Sequence, residues 1–297
     1  MTAPTTGLVA TFFPARHPQR RRAESRRVAG TTVPLAIAAH AARVTIVVRV
    51  ALVAVLAVGG MLAVWTPAAR ADELSDLSAV LSRLPATEEI QGSIEFQVAR
   101  QSTEEHWTDQ SHATLEVEDG PQGFRLGLPH GGAKLALQEL RGQVLDPSKH
   151  TPTYSALNAL NLNEISGDLD SAAPLAQDVA LSHLVEVKPA TYNGRAARLL
   201  VLTLPPRLSV EARKHVRTAD SRLSVWVGAD GMPLGAEKIE HTRGRFLVLF
   251  FESERKQTWV YGRKGNRLFA TRHEVTDNAS GLGQDFRSST VAVLTLH

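Results

Sequence analysis

The side chains that could do chemistry form no catalytic pattern in this sequence. The chain contains no cysteine, which excludes a thiolate nucleophile, a disulfide and a thiolate metal site. It contains no H-E-x-x-H, G-x-S-x-G, P-loop or G-x-G-x-x-G motif. The pair Gly281 and Gly283 stands alone, without the rest of a nucleotide fingerprint. We therefore expect a protein that is not an enzyme and that binds no cofactor.

Metal ligation is the remaining chemistry that the spacing of polar residues permits. His106 and His112 would lie on one face of a strand, with Glu104 and Glu105 nearby. The alternative is an ordinary solvated strand end, which we favour, so we expect no metal site. Three aspartates fit strand ends and turns better than general-acid roles, namely Asp109, Asp119 and Asp230.

A run of six apolar residues at 246–251 says more about function than these polar residues do. Phe246, Val248 and Phe250 alternate there with Leu247, Leu249 and Phe251. If Arg245–Glu252 is a strand, it is apolar on both faces, which a sheet with one solvated face does not need. Two interpretations stay open. Either helices cover both faces of the sheet, or one face lines a cavity for an apolar ligand.

The elements that must position these residues are strands at both ends of residues 72–297. Alternating apolar residues predict three antiparallel strands within 94–128, behind a short helix at Leu74–Leu84. Between Lys134 and Leu184 the apolar period becomes helical. We expect two or three short amphipathic helices there, including ones at 154–165 and 174–181.

Strands return after residue 185. Tyr192-Asn193-Gly194 predicts a hairpin turn, and the aliphatic run Arg198–Leu204 predicts a strand buried on both faces. A charged helix is expected at Leu208–Ala219, capped by Ser209, before a meander of strands from Ser221 to the C-terminus. The pattern predicts a mainly β (α+β) fold with about eleven antiparallel strands. So large a sheet curls, and the mid-chain helices are its expected cover.

The N-terminal segment has the order of an export signal. A basic run at Arg16–Arg27 precedes an apolar run at Val50–Trp65 and the small-x-small pattern of Ala69 and Ala71. The alternative is a retained inner-membrane anchor, but the apolar run has 16 residues, against the roughly 20 that span a bilayer. We expect cleavage near Ala71, which divides the chain into a basic extension with signal peptide at 1–71 and a single periplasmic domain at 72–297.

Removing that leader reverses the sign of the net charge. Residues 1–71 hold nine of the 33 basic residues and one of the 30 acidic residues, leaving 24 basic and 29 acidic residues and a net charge of −5. A net-acidic domain is a poor partner for a phosphate backbone. We therefore exclude a nucleic-acid partner.

Two local stretches resemble a known family. Tyr192-Asn193-Gly194-Arg195 precedes the Leu199–Leu204 strand, and the segment 221–234 ends in Gly231-Met232-Pro233-Leu234. This order resembles the LolA/LolB-like periplasmic lipoprotein carriers and the broader outer-membrane lipoprotein-sorting group, over most of residues 72–297. The resemblance implies an incomplete β-barrel whose hydrophobic concavity, under a helical lid, holds acyl chains. The motifs assign no residue to the carriers' functional arginine, for which Arg100 is one candidate.

The function expected from pattern and resemblance is a carrier-like lipid- or lipoprotein-binding protein that takes part in outer-membrane biogenesis. Its partner would be an acyl chain or lipoprotein anchor. The alternative is an envelope interaction or stress-sensing module, which would use the same sheet as a surface for a protein partner and transport no lipid. The expected cavity and lid residues are Phe96, Trp107, Leu115, Phe124, Leu157, Leu160, Ile165, Trp226, Phe246, Val248, Phe250 and Trp259.

Overall fold

The computed structural model of the protein describes residues 67–102, 107–246, 249–281 and 284–297. The predicted leader up to residue 66, His106 and Val248 lie outside the described residues, as do the side-chain surroundings of Trp107 and Phe246. The described residues belong to one compact unit, Ala63–His297.

Ten strands and six helices make up the described chain. The strands are β1 (Ile90–Ser102), β2 (Trp107–Gly120), β3 (Gly123–Gly127), β4 (His183–Tyr192), β5 (Arg195–Leu204), β6 (Val216–Gly228), β7 (Pro233–Phe246), β8 (Leu249–Lys264), β9 (Arg267–Gly281) and β10 (Gln284–Leu296). The helices are α1 (Pro67–Leu81), α2 (Gly132–Leu145), α3 (Pro152–Asn158), α4 (Leu162–Leu169), α5 (Ala172–Ala180) and α6 (Val210–His215).

All ten strands form one antiparallel sheet in the order β3-β2-β1-β10-β9-β8-β7-β6-β5-β4. The first and last strands are neighbours, and Gly92 of β1 pairs with Leu296 of β10. In the described chain β3 and β4 do not pair with each other, so the sheet stays open. The predicted mainly β, incomplete antiparallel barrel with mid-chain helices is confirmed, with ten strands in place of eleven.

Turn chemistry that is visible in the sequence fixes several of the hairpins. Asn193 and Gly194 both have positive φ, at 48° and 77°, which a two-residue turn of the expected type requires. Asp230 accepts a hydrogen bond from the Met232 backbone N–H at 3.2 Å and holds the β6–β7 turn. The Ser209 hydroxyl accepts from the Ala212 N–H at 3.1 Å, as expected for the N-cap of α6.

The predicted strand Arg245–Glu252 is wrong. β7 ends at Phe246 and β8 begins at Leu249, and these two residues pair with each other, so two strands stand where one was predicted. The segment lacks the Gly or Asn that marks a tight turn, so its unbroken apolar run looks like a buried strand. Leu249 and Phe250 are instead 47% and 71% exposed.

The predicted helix Leu208–Ala219 is too long, because α6 ends at His215 and β6 begins at Val216. Val216 and Thr218 are β-branched and favour the ladder with β7 over another helical turn. The strand at Arg198–Leu204 is buried on one face only. Leu200, Leu202 and Leu204 lie inside, and Thr203 is exposed.

The middle of the chain holds four helices, against the two or three expected. The predicted helix at 154–165 is divided, since α3 ends at Asn158 and the Asn161 side chain starts α4 by accepting from the Asn163 N–H at 3.1 Å. A side-chain cap of this kind favours a new helix start over continuation. Helices α3, α4 and α5 contact strands of the sheet.

The core has two parts, which we name after the helices that cover them. In the α5 cluster, residues of α1 and α5 pack on β4–β7, and its buried members are Leu77, Leu81, Leu84, Ala172, Leu175, Val179, Val187, Leu200, Leu202, Leu204, Leu223, Val225, Val227, Ala236 and Leu268. In the α4 cluster, residues of α3 and α4 pack on β1 and β2, and its buried members are Ile90, Ile94, Phe96, Val98, Ala113, Leu115, Val117, Ala156, Ile165, Leu169 and Phe269.

A buried arginine at the start of β9 fastens α4 to the sheet. Arg267 is only 1% exposed, and its Nε donates to the Leu169 carbonyl of α4 at 2.9 Å. Its Nη1 donates to the Glu88 carbonyl at 2.6 Å, and Nη2 pairs with the Asp119 carboxylate. These bonds offset the cost of taking the guanidinium out of water. Asp119 thus ends its strand as expected and has a role in packing as well.

Candidate functional site

A polar seam separates the two apolar clusters and consists of Asp168, Trp259 and His273. Asp168 lies on α4, and His273 lies on the concave face of β9, two positions from buried Val275. The His273 Nδ1 is 2.9 Å from one Asp168 oxygen, and the Trp259 Nε1 donates to the other at 3.2 Å. The imidazole stacks on the Trp259 ring with centroids 4.8 Å apart. The carboxylate therefore fixes the orientation of both rings.

The second ring nitrogen of His273 is the open position of this seam. The side chain is 5% exposed, and within the described parts of the chain its Nε2 has no hydrogen-bond partner. When the neutral ring donates through Nδ1 to Asp168, Nε2 is an acceptor. A buried polar atom without a partner is costly, so this nitrogen is suited to a group that a ligand brings.

A polar cavity of about 250 Å³ borders one side of α4. Its lining includes Arg100, Glu164, Arg255, Asp277 and the His273 ring. The Arg255 guanidinium bridges α4 and β9, with Nη2 at 2.7 Å from Glu164 and Nη1 at 3.1 Å from Asp277. For Arg100, the described chain offers neither a hydrogen-bond nor an ion-pair partner. Its charge is therefore available to an anion that enters the cavity.

An apolar cavity of about 230 Å³ lies under α4 and α5. Leu175, Leu223, Ala236 and Trp259 contribute to its walls, and Gly167 of α4 opens onto it. Glu164, Asp168 and His273 line both cavities, so the cavities adjoin at the polar seam. The arrangement offers an apolar compartment and a polar compartment in which Arg100 is unpaired within the described chain, and the two share one boundary.

The tyrosine in the wall of the apolar cavity is held neutral. Burial raises the pKa of Tyr261 above its ordinary value, and the nearby charge of Asp168 raises the pKa further. Its hydroxyl therefore stays protonated above the ordinary tyrosine pKa of about 10, so no second negative charge forms next to Asp168 in that range.

Three of the predicted cavity and lid residues line these cavities, and four others belong to the α4 cluster or its margin. Phe96 and Ile165 line the polar cavity, and Trp259 lines the apolar cavity. Leu115 is buried in the α4 cluster, and the remaining residues are partly buried at its margin, namely Phe124, Leu157 and Leu160.

Of the other predicted residues, Trp226 and Phe250 lie away from this site. Trp226 alternates with buried Val225 and Val227, so it lies on the opposite face of β6, where its ring is 5.1 Å from Tyr192. Phe250 projects from the β7–β8 hairpin and Phe246 closes that hairpin. Trp107 begins β2 at the same end of the sheet, and Val248 lies outside the described residues.

The sequence pattern missed the polar residues of the site. Gly167 and Asp168 look like a loop in the sequence, yet both lie inside α4. One signal was available, because His273 shares its strand face with Val275, and a histidine on the buried face of a strand needs a partner. Nothing in the sequence indicates that the partner is Asp168.

In the described ranges, no helix is long and apolar enough to cross a membrane. The same ranges contain no group of three or more His, Asp or Glu side chains that could hold a metal ion.

Comparison with known proteins gives a structural similarity only. No family model matches the chain, and no curated protein matches it in sequence. A solved structure that is similar to it is a domain from Vibrio parahaemolyticus named for outer membrane lipoprotein sorting, with a TM-score of 0.30 and 10% identity. The match covers 77% of this chain and 93% of that chain.

Proposed function

We propose that this protein binds an amphipathic, anionic lipid, with the acyl chain in the apolar cavity and the head group in the polar cavity. The observation that carries the proposal is that an apolar compartment and a polar compartment containing Arg100, which has no partner in the described chain, adjoin at one short helix, α4. An acyl chain or a lipoprotein anchor has the matching division between a long apolar part and a polar end.

The apolar compartment supplies the driving force. Each Å² of apolar surface that Leu175, Leu223 and Trp259 take from water contributes about 25 cal/mol. At about 230 Å³ the cavity is smaller than the roughly 300–1,000 Å³ of typical ligand sites. A long chain therefore needs α4 and α5 to move outward, and these helices act as the lid.

The polar compartment supplies orientation. A carboxylate or phosphate in the cavity would pair with Arg100, and a protonated head-group oxygen or an amide would donate to the His273 Nε2. The Arg255 ion pair with Glu164 is about one-third exposed and is therefore weak, so it can open when α4 moves.

The proposed place of action is the periplasm, after cleavage near Ala71. Helix α1 spans that position, but its core residues Leu77 and Leu81 follow it and would be retained. A cargo with acyl chains fits this compartment, because the protein would shield those chains from water between membranes.

The first test fills the apolar cavity with a larger side chain at Gly167 of α4. A Cβ at Gly167 meets only the Pro174 ring, at 3.8 Å, so a larger side chain fits without a backbone clash. We expect Gly167→Leu to weaken binding of a fluorescent fatty acid at least tenfold, because its side chain occupies the acyl site. Gly167→Ala is the matched control, with the same gain in helix propensity and no filling of the cavity, and it should bind as the wild type does.

A second pair of measurements tests the head-group end. Arg100→Gln should weaken binding of a fatty acid about tenfold or more, since a charge-assisted hydrogen bond is lost, and should leave binding of an uncharged monoacylglycerol unchanged. If folded Gly167→Leu and Arg100→Gln both bind like the wild type, the lipid-binding proposal fails. The interaction or stress-sensing alternative, with a protein partner on the sheet, would then replace it.

A further inference from the structure

The side chains at the boundary between the two cavities are hydrogen-bond acceptors. The three that line both cavities are Glu164, Asp168 and His273. Two are carboxylates that are already bonded, Glu164 to the Arg255 guanidinium at 2.7 Å and Asp168 to the Trp259 Nε1 at 3.2 Å. The third is the His273 Nε2, which has no partner among the described residues. An anionic group at this boundary would meet three acceptors, whereas an N–H or O–H donor would meet a free one.

The cation that can receive an anion lies farther along the sheet. Arg100 lines the polar cavity but not the apolar one, and it shares a cross-strand row with Ser288 and Asp277. His273 is four positions from Asp277 on β9, and β1 is two strands from β9. At ~3.3 Å per residue and ~4.8 Å between strands, the Cα atoms of Arg100 and His273 are roughly 16 Å apart in the sheet. A head group that bonds to both side chains therefore needs two polar groups in succession, with the donor nearer the acyl chain.

We propose that the ligand is an N-acyl amino acid, in which an acyl chain, an amide N–H and a carboxylate follow one another. This inference rests on the lipid-binding proposal and specifies its ligand. The chain fills the apolar cavity, the amide N–H donates to the His273 Nε2, and the carboxylate pairs with Arg100.

The same order of groups disfavours two related ligands. A fatty acid lacks the donor, because its carboxylate directly follows the chain and carries no hydrogen at neutral pH. In an acylated peptide, the carboxyl carbon of the first residue is part of the next amide and carries no charge for Arg100. The two compartments therefore favour a single acylated amino acid over either of these.

Three ligands of equal chain length test the donor and the anion separately. N-dodecanoylglycine has both groups, O-dodecanoylglycolate has an ester oxygen in place of the N–H, and N-dodecanoylglycinamide keeps the N–H without the charge. Their affinities are measured by displacement of a fluorescent fatty acid, in protein purified after expression of the full chain. The wild type should bind N-dodecanoylglycine at least tenfold more tightly than either analogue, because each analogue leaves one side chain without its partner.

An Asp168→Asn variant tests whether His273 is the group that accepts from the amide. If the Asn oxygen stays on the Trp259 Nε1, the Asn amide donates to the His273 Nδ1, so the ring proton moves to Nε2 and that nitrogen becomes a donor. The preference for the amide over the ester should then fall below about twofold. Asp170→Asn, at the end of the same helix, is the control and should keep the wild-type ratio.

An Arg100→Gln variant tests the other end of the head group. It should weaken binding of N-dodecanoylglycine and of O-dodecanoylglycolate about tenfold each, and it should leave the ratio of their affinities unchanged. Binding of N-dodecanoylglycinamide should stay as in the wild type, because this ligand brings no charge to Arg100.

The results separate this inference from the lipid-binding proposal. If the wild type binds dodecanoate but binds the amide and the ester equally, the inference fails and the lipid-binding proposal stands. If it binds no ligand, dodecanoate included, both fail. Equal affinities for N-dodecanoylglycinamide and N-dodecanoylglycine would also overturn the inference, as would an unchanged amide-to-ester ratio in Asp168→Asn protein that unfolds cooperatively on heating.

Discussion

The packed clusters and the polar seam share strand β9 but differ in how their side chains are packed. In the α5 cluster, Leu200, Leu202 and Val225 are almost fully buried, and close packing of this kind gives stability. In the seam, Asp168 and His273 are also buried, yet one nitrogen has no partner in the described structure and two cavities adjoin. The comparison shows that the clusters are closely packed and that the seam is not, and the seam is where we propose that a ligand binds.

The largest expected effect is the loss of stability when a buried side chain of either cluster is truncated. Leu202→Ala in the α5 cluster and Leu115→Ala in the α4 cluster each remove a side chain that is at most 2% exposed. Each should lower the free energy of unfolding by about 2–5 kcal/mol, measured by urea denaturation. If either change costs less than about 1 kcal/mol, that cluster is loosely packed and the contrast with the seam is lost.

The next largest effect concerns how stability depends on pH, through Tyr261 at the edge of the seam. Burial raises the pKa of Tyr261, so above the ordinary tyrosine pKa of about 10 the unfolded chain loses a proton that the folded protein keeps. Stability is thus complete below that pH and falls as pH rises, by up to about 1.4 kcal/mol per unit. Tyr261→Phe should lose less stability than the wild type between pH 10 and 12. If the stability of the wild type and that of Tyr261→Phe fall equally with pH, the raised pKa of Tyr261 is contradicted.

A smaller effect is expected inside the seam. Asp168→Asn keeps the shape and an oxygen acceptor for the Trp259 Nε1, but weakens the contact with His273 by removing the charge. We expect a loss of about 1–2 kcal/mol in unfolding free energy, below that of the cluster variants. Asp170→Asn, at the end of the same helix, is the control. A loss above about 4 kcal/mol would make the seam part of the essential core.

The smallest effect is expected at the hairpin apex. Phe250→Ala should change the unfolding free energy by less than about 0.5 kcal/mol, because the side chain is 71% exposed. Phe96→Ala, in the α4 cluster, should cost about 3–5 kcal/mol in the same assay. An equal loss in the two variants would show that the apex packs against the domain.

The strands and tight turns were predictable because their signals are local. Alternation places side chains on one face every second residue, and Asn193-Gly194 and Asp230-Gly231 supply positive φ or a side-chain acceptor within the turn itself. The end of β7 at Phe246 was not predictable, since no Gly, Asn or Asp follows it before β8 begins at Leu249.

The site was harder to predict because its contacts are distant in sequence. Asp168 meets His273 across 105 positions, and Arg267 reaches Asp119 across 148. Neither pair leaves a local pattern. The helical period between residues 134 and 184 indicates a cover for the sheet, but which helix face meets which strand depends on the folded sheet.

The pairing of β1 with β10 has a consequence for the order in which the chain can fold. Gly92 meets Leu296, so one edge of β1 has no partner until β10 has been synthesised. Until β10 is present, β1–β3 have one edge whose backbone N–H and C=O groups are unpaired, and these groups can pair with strands of other chains. Closure over nearly the whole sequence is slow, because loop entropy must be overcome before any contact forms. The sheet is therefore completed late, and until then the edge of β1 is open to pairing with other chains.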